Sequence, residues 1–118
     1  MIFFRRTGRA TIFLEGEIDL ATVSGVRTAL ATCHAYNMPC IDIDLSAVAF
    51  CDACGLNVFL AASKRSAEFH GDVRLHHAPT AVRRLLELTG TGFLLAKDAP
   101  VEPDKAREHM PAVEPHDQ

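Results

Sequence analysis

The residues with the most chemical potential crowd into one stretch, Phe50-Cys51-Asp52-Ala53-Cys54-Gly55-Leu56. Two cysteines spaced Cys-x-x-Cys suit a redox pair or half of a metal site. A cysteine at a helix N-terminus gains thiolate character from the free N–H groups and the helix dipole. Cys54 is therefore a candidate for oxidation, with Cys51 as its resolving partner. The alternative is packing, with Cys51 as a small hydrophobe and Cys54 as a small residue of no special role. Asp52 reads either as the N-cap of the helix or as a carboxylate that contacts a partner or orients a nearby hydroxyl. Gly55 gives room for close backbone approach, or is merely a small residue tolerated in the first turn.

Other chemistries find less support. Structural zinc takes four ligands and one Cys-x-x-Cys supplies two, while Cys33 and Cys40 flank a separate turn. No metal and no cofactor is expected. A thioredoxin-like enzyme would need both cysteines at a reactive turn in another strand–helix context. His34, His70, His76, His77, His109 and His116 form no catalytic arrangement with a nucleophile. Arg83-Arg84 reads as a solvated face or a contact to an acidic partner.

The elements that position these residues follow from periodicity. Ala10–Glu15 is rich in β-formers and stops at Gly16, which predicts a strand. Residues 2–6 form a candidate earlier strand, with Thr7-Gly8-Arg9 as the turn between them. Gly16–Asp19 is expected as a loop, with Asp19 capping a helix over 21–36 whose stripe is Val23, Val26, Leu30 and Cys33. Asn37-Met38-Pro39 ends that helix. Cys40–Leu45 alternates strictly, with Ile41, Ile43 and Leu45 on one face and Cys40, Asp42 and Asp44 on the other. Ser46–Phe50 is expected as a connection.

A second helix is predicted over about 54–69, with Leu56, Phe59, Leu60 and Ser63 on one face. Gly71 is expected to stop it in the left-handed conformation. Val73–His76 is a strand, and Pro79 starts a third helix carried by Val82, Leu85, Leu86 and Leu88 and ended at Gly90. Gly92–Leu95 is expected as a short closing strand. The order β-β-α-β-α-β-α-β favours crossover connections and a largely parallel sheet.

Composition bounds the function. A chain of 118 residues is one domain. No apolar run reaches the roughly 20 residues of a membrane span. Basic residues follow rather than precede the apolar start, unlike a signal peptide, so the cytosol is the expected location and the cysteines are expected as thiols. Residues 1–96 hold nine basic and nine acidic residues, whereas 97–118 hold three and six together with four prolines. Residues 97–118 are therefore expected as a disordered acidic Pro-rich tail, with at most a turn of helix at 104–109. A neutral body with no Trp gives no basic face or stacking platform for nucleic acid.

Four segments together resemble the STAS domain. They are Gly16-Glu17-Ile18-Asp19-Leu20-Ala21-Thr22, Ile43-Asp44-Leu45-Ser46, Phe50–Leu56 and Ala81-Val82-Arg83-Arg84-Leu85-Leu86-Glu87-Leu88-Thr89-Gly90. The branch most similar is the bacterial anti-sigma factor antagonists, and the resemblance spans roughly residues 8–96. It implies an α/β fold, a small mixed β-sheet covered by about three helices. It also implies a binding module, not an enzyme, that docks on a serine-kinase-type anti-sigma factor and so releases a sigma factor.

In that family the kinase phosphorylates a Ser or Thr just after the motif's Asp, at one of two adjacent positions. Here those positions are Ala53 and Cys54. The expected partner surface is Glu17, Asp19, Asp52, Cys54, Gly55, Leu56 and Asn57. Control is then constitutive, or runs through expression, cysteine oxidation, or another hydroxyl such as Ser46, Ser63 or Ser66. The alternative is a non-catalytic STAS subunit of a lipid-transport or stress-signalling complex. A monomer or weak dimer is expected.

Overall fold

A computed structural model describes residues 2–6, by their backbone, and residues 9–96. In chain order the elements are β1 (Ile2–Arg6), β2 (Arg9–Ile18), α1 (Val23–Ala35), β3 (Ile41–Cys51), α2 (Ala53–Glu68), β4 (Val73–His76) and α3 (Thr80–Leu88), followed by a 3-10 turn at Gly92–Leu94. The predicted turn at Thr7-Gly8 and the predicted tail, with its helical turn at 104–109, lie outside the described residues.

One sheet runs in the order β1-β2-β3-β4. β1 is antiparallel to β2, and the other two pairings are parallel. Parallel neighbours need a crossover, and α1 and α2 supply the two. Both helices cover one face. Ile12, Ile41, Ile43, Leu45 and Leu75 meet Val26, Leu30, Cys33, Phe59 and Ala62 in a single core. The strict alternation of 41–45 reaches the core as expected, and the stripe Val23, Val26, Leu30, Cys33 is buried throughout. His34 Nε2 and the fully buried Ser66 Oγ lie 2.9 Å apart and tie the end of α1 to α2.

The other face carries a charged network. Arg9 grips Asp42 in a bidentate pair, Nε to Oδ2 and Nη2 to Oδ1, both at 2.9 Å. It also reaches Asp72 at 2.9 Å, while His76 Nε2 lies 2.9 Å from Asp42 Oδ1. Burial raises the Asp42 pKa, but hydrogen bonds from His76 and Arg9 outweigh it and hold the carboxyl at about 2.

Several expectations are corrected. Gly16–Ile18 and Ser46–Phe50 are not loops but continuations of β2 and β3. The pairing slips twice, between Phe13/Glu15 and Gly16/Glu17. Each slip leaves one extra residue on β3, which is a β-bulge. Gly16, at φ +83°, takes a conformation that L side chains rarely adopt. Asp44, alternating with Ile43 and Leu45 as expected, is nevertheless only 4% exposed. Its Oδ1 accepts from Ser46 N–H (2.8 Å) and Ser46 Oγ (2.6 Å), satisfying the backbone at the first bulge.

Helix ends and faces also shift. The left-handed residue after α2 is His70 (φ 63°), not Gly71. Gly71 is there for a close approach, since a Cβ would lie 2.3 Å from the carbonyl oxygen of Pro39. On α2 the buried side is Gly55, Leu56, Val58, Phe59, Ala62 and Ser66, while Leu60 and Ser63 are half-buried. Leu88 is 80% exposed and does not join Val82 and Leu86 in the core. The last predicted strand is the 3-10 turn, followed by a single parallel bridge from Leu95 to Leu75.

Candidate functional site

Beyond Phe13 and Asp44, β2 and β3 outrun both neighbours. β1 pairs no further than Phe13, and β4 no further than Asp44. The two strands continue as a bulged ribbon paired to each other, ending at Ile18 opposite Cys51. Both crossovers begin at that end, so the start of α1 and the start of α2 meet there. The N–H of Asp52 donates to the carbonyl of Ile18 at 3.1 Å and stitches the two turns together.

Each turn is built by a carboxylate. Asp19 Oδ1 accepts from the N–H groups of Ala21 (3.0 Å) and Thr22 (3.2 Å), and its carbonyl accepts the N–H of Val23 (2.8 Å). Thr22 Oγ1 donates to the carbonyl of Glu17 at 2.7 Å. Asp52 Oδ1 accepts from Cys54 N–H (2.9 Å) and Gly55 N–H (3.4 Å), so it is the N-cap of α2. It satisfies donors that have no partner within the helix.

Gly55 is required by contact. A Cβ there would lie 2.6 Å from Ile18 Cγ2 and 2.8 Å from Cys51 Sγ. Of the expected partner residues, Gly55 and Leu56 face inward and are buried. Glu17 and Asn57 are exposed, and Asp19, Asp52 and Cys54 are half-buried. Ala53 is exposed. What surfaces is therefore narrower than the motif. It gains two residues that sequence reasoning did not single out, Leu20 at 77% exposure and Phe50 at 47%. Their signal was an apolar side chain inside a turn and at a strand end, which burial alone distinguishes from core.

The site is acidic with an apolar centre. Residues 15–22 and 46–57 contain Glu15, Glu17, Asp19 and Asp52 and no Lys, Arg or His. Cys51 and Cys54 are free thiols. Burial, with the Asp52 charge adding to it, pushes the Cys51 thiol up to about 11, and its Sγ lies 3.6 Å from the Asp52 carbonyl oxygen. Two of the alternative hydroxyls are committed, Ser46 Oγ donating to Asp44 and Ser66 fully buried against His34, while Ser63 is half-buried. Among the described residues no three His, Cys, Asp or Glu side chains group as metal ligands, and no helix is long and apolar enough to cross a membrane. The arrangement offers shape, apolar contact and negative charge.

Known proteins share this architecture and sequence. The family model described as "Mlab, STAS domain" matches residues 2–96. The anti-sigma-B factor antagonist of Listeria monocytogenes is 34% identical over 91 residues, which cover 77% of this chain and 80% of that protein. An anti-sigma factor antagonist from Mycobacterium paratuberculosis has a similar structure, with TM-score 0.73 and 26% identity over 93% of this chain and 92% of that one. SpoIIAA in its unphosphorylated form, 18% identical, shares the fold with TM-score 0.74 over 94% of this chain and 96% of that one. The chain belongs to the STAS family, in its branch of anti-sigma factor antagonists.

Proposed function

We propose that this protein binds a kinase-type anti-sigma factor through the joined ends of β2 and β3, and that the binding frees a sigma factor. The observation that carries the reading is the name and similarity of the Listeria monocytogenes relative, an anti-sigma-B factor antagonist aligned over most of both chains. The local geometry supports it. Exposed Leu20, Phe50 and Ala53 on the two segments that also carry Glu15, Glu17, Asp19 and Asp52 offer apolar and acidic groups suited to protein contact rather than to bond-making. The protein acts as a binding module and not as an enzyme.

Ala53 and Cys54 stand where the family's phosphorylated hydroxyl would be, so the interaction is constitutive with respect to a kinase acting there. A phosphate would add about −1.5 to −2 charge to a rim that is already acidic. The test mixes the purified protein with the anti-sigma factors of its own host and measures complex formation by calorimetry, with and without ATP. Complex formation that ATP does not diminish supports the reading, and Leu20→Asp and Phe50→Asp abolish it. Ala53→Ser or Cys54→Ser restores loss of binding with ATP. The reading is overturned by failure to bind every kinase-type anti-sigma factor of that host. Recovery within a stable lipid-transport or stress-signalling complex would favour the second reading, a non-catalytic STAS subunit. The missing hydroxyl is the observation that favours that second reading.

A further inference from the structure

A groove of about 390 Å³ runs between α1 and α2, away from the ribbon end. Leu30, Ala31, Ala35, Val58, Ala61 and Ala62 line it, and it is open along its length rather than closed over. The alanines leave the two helices with little side-chain relief, and the volume falls within the usual range of binding clefts, about 300–1,000 Å³.

Its charge is one-sided. Arg27 and Arg65 also line the groove. Neither has a carboxylate partner among the described residues, and Arg65 instead lies over the Phe69 ring, 5.5 Å from its centroid. α1 and α2 follow successive parallel strands on the same face, so they run in the same direction. The His34–Ser66 hydrogen bond sets the end of α1 beside the second half of α2, which fixes the relative height of the helices. Arg65 therefore sits near His34, and Arg27 lies seven residues upstream of that level. Seven helical residues rise about 10 Å. The backbones of the two arginines are thus offset by about two turns along the trough, Arg27 on α1 and Arg65 on α2.

We propose that this groove takes an acidic amphipathic helix of a partner protein, with carboxylates at positions i and i+7 over Arg27 and Arg65 and small apolar residues at i+3 and i+4 against the alanines. Two carboxylates seven residues apart on a helix share one face and are offset by about 10 Å along its axis, matching the axial offset of the two arginines, whose long side chains can reach across the groove. Helix-in-groove recognition reads this i, i+3, i+4, i+7 pattern. The prolines of residues 97–118 at 100, 103, 111 and 115 interrupt any two-turn helix with that spacing, so that segment is a poor occupant. The inference is independent of the anti-sigma reading, because it concerns another face.

The test titrates the full-length, isotope-labelled protein with a 16-residue alanine-rich helical peptide that carries Glu at i and i+7 and Leu at i+3 and i+4, following backbone amide shifts. Saturable shifts on Ala31, His34, Ala61 and Arg65 are expected. Binding weakens at least tenfold when both Glu become Gln, and again in the Arg27→Glu/Arg65→Glu double variant. A peptide with Lys at i and i+7 recovers binding to that double variant, which separates lost charge pairing from lost folding. The proposal is overturned if the Glu peptide gives no shifts, gives shifts elsewhere, or binds no better than the Gln peptide. It is also overturned if groove amides of the free protein shift with its own concentration, the mark of a second copy. Movement of the signals of residues 97–118 in the double variant without peptide would assign the groove to that segment instead. Failure of any of these leaves calorimetry with an anti-sigma factor unaffected.

Discussion

Replacing Gly55 by alanine tests whether α2 is seated directly on the ends of β2 and β3. The added Cβ would lie 2.6 Å from Ile18 Cγ2 and 2.8 Å from Cys51 Sγ. Nonbonded carbons rest at about 3.5–4.0 Å, so roughly 1 Å must be found. Ile18 is buried and held in the ribbon by pairing with Cys51, and it has nowhere to retreat. Either α2 lifts off the strand ends or Ile18 leaves its rotamer. Overpacking of this kind costs about 1–3 kcal/mol. Against it, alanine is better than glycine inside a helix by about 1 kcal/mol. The expected net loss is about 1–2 kcal/mol, and each kcal/mol lowers the melting midpoint by roughly 4–8 °C in a domain of this size. Urea titration measures it, with Gly92→Ala as control. At Gly92 a Cβ meets nothing within 4 Å, and stability should stay within about 0.5 kcal/mol. Adding Cys51→Ala to the Gly55→Ala protein relieves one of the two contacts, so the paired losses should be less than additive. A Gly55→Ala protein as stable as the parent would mean that helix propensity had won. The first turn of α2 would then not press on the strands, and the site geometry would be wrong.

Asp52→Ala removes the cap of α2 and should cost about 1 kcal/mol, whereas Asp52→Asn keeps an accepting oxygen and most of that stability. Weakened partner binding in Asp52→Asn at nearly unchanged melting temperature would separate the carboxylate's charge from its structural task. Asp42 has a folded pKa of about 2, below its ordinary value of 3.8, so its contribution is present above about pH 4 and lost as pH falls towards 2. Denaturation between pH 5 and 2 should show about 1–2 kcal/mol less acid sensitivity in Asp42→Asn, and an unchanged slope would contradict the Arg9–Asp42–His76 cluster. Cys51, at about 11, carries roughly a hundredfold less thiolate at neutral pH than a thiol at its usual value of 9.0. Iodoacetamide should label it slowly in the native protein and quickly in urea, as read by mass spectrometry. Rapid native labelling would disprove its burial.

What the sequence made legible was local. β4 at Val73–His76 and the buried stripe of α1 needed only neighbours a few residues away, and period alone gives both. The run of β2 through Gly16 to Ile18 did not, because a glycine reads as a strand end unless the partner strand is known to bulge beside it. The burial of Asp44 has the same origin. Its alternation with Ile43 and Leu45 is intact, but its oxygen serves a backbone N–H that only the bulge sets free. Gly71 was visible as a breaker and illegible as a contact with Pro39, 32 positions away. Arg9, Asp42, Asp72 and His76 join three strands and a loop across separations that no window of sequence contains. At the site the order of Asp52, Ala53, Cys54 and Gly55 was plain. That Gly55 and Leu56 turn inward while Leu20 and Phe50 turn outward depends on how α2 meets the ribbon.

The placement of that ribbon end bears on how control can work in such a protein. Asp52 already occupies the N–H groups of Cys54 and Gly55, the donors that would otherwise welcome an anion at the start of α2. A phosphate on a hydroxyl at position 53 or 54 would find those donors taken by the carboxylate of Asp52. Its charge would be expressed outward, towards the partner that the proposed reading docks on Leu20 and Phe50. A hydroxyl at either position would thus be an effective lever because the cap is already filled. In the proposed reading, alanine and cysteine at these positions remove the lever while leaving the cap and the ribbon in place. Two hydroxyls borne by the turn and the ribbon, Thr22 and Ser46, are no substitute, since Thr22 Oγ1 is spent on the Glu17 carbonyl and Ser46 Oγ on Asp44. Modifying either would dismantle a turn or a bulge that holds the surface in shape.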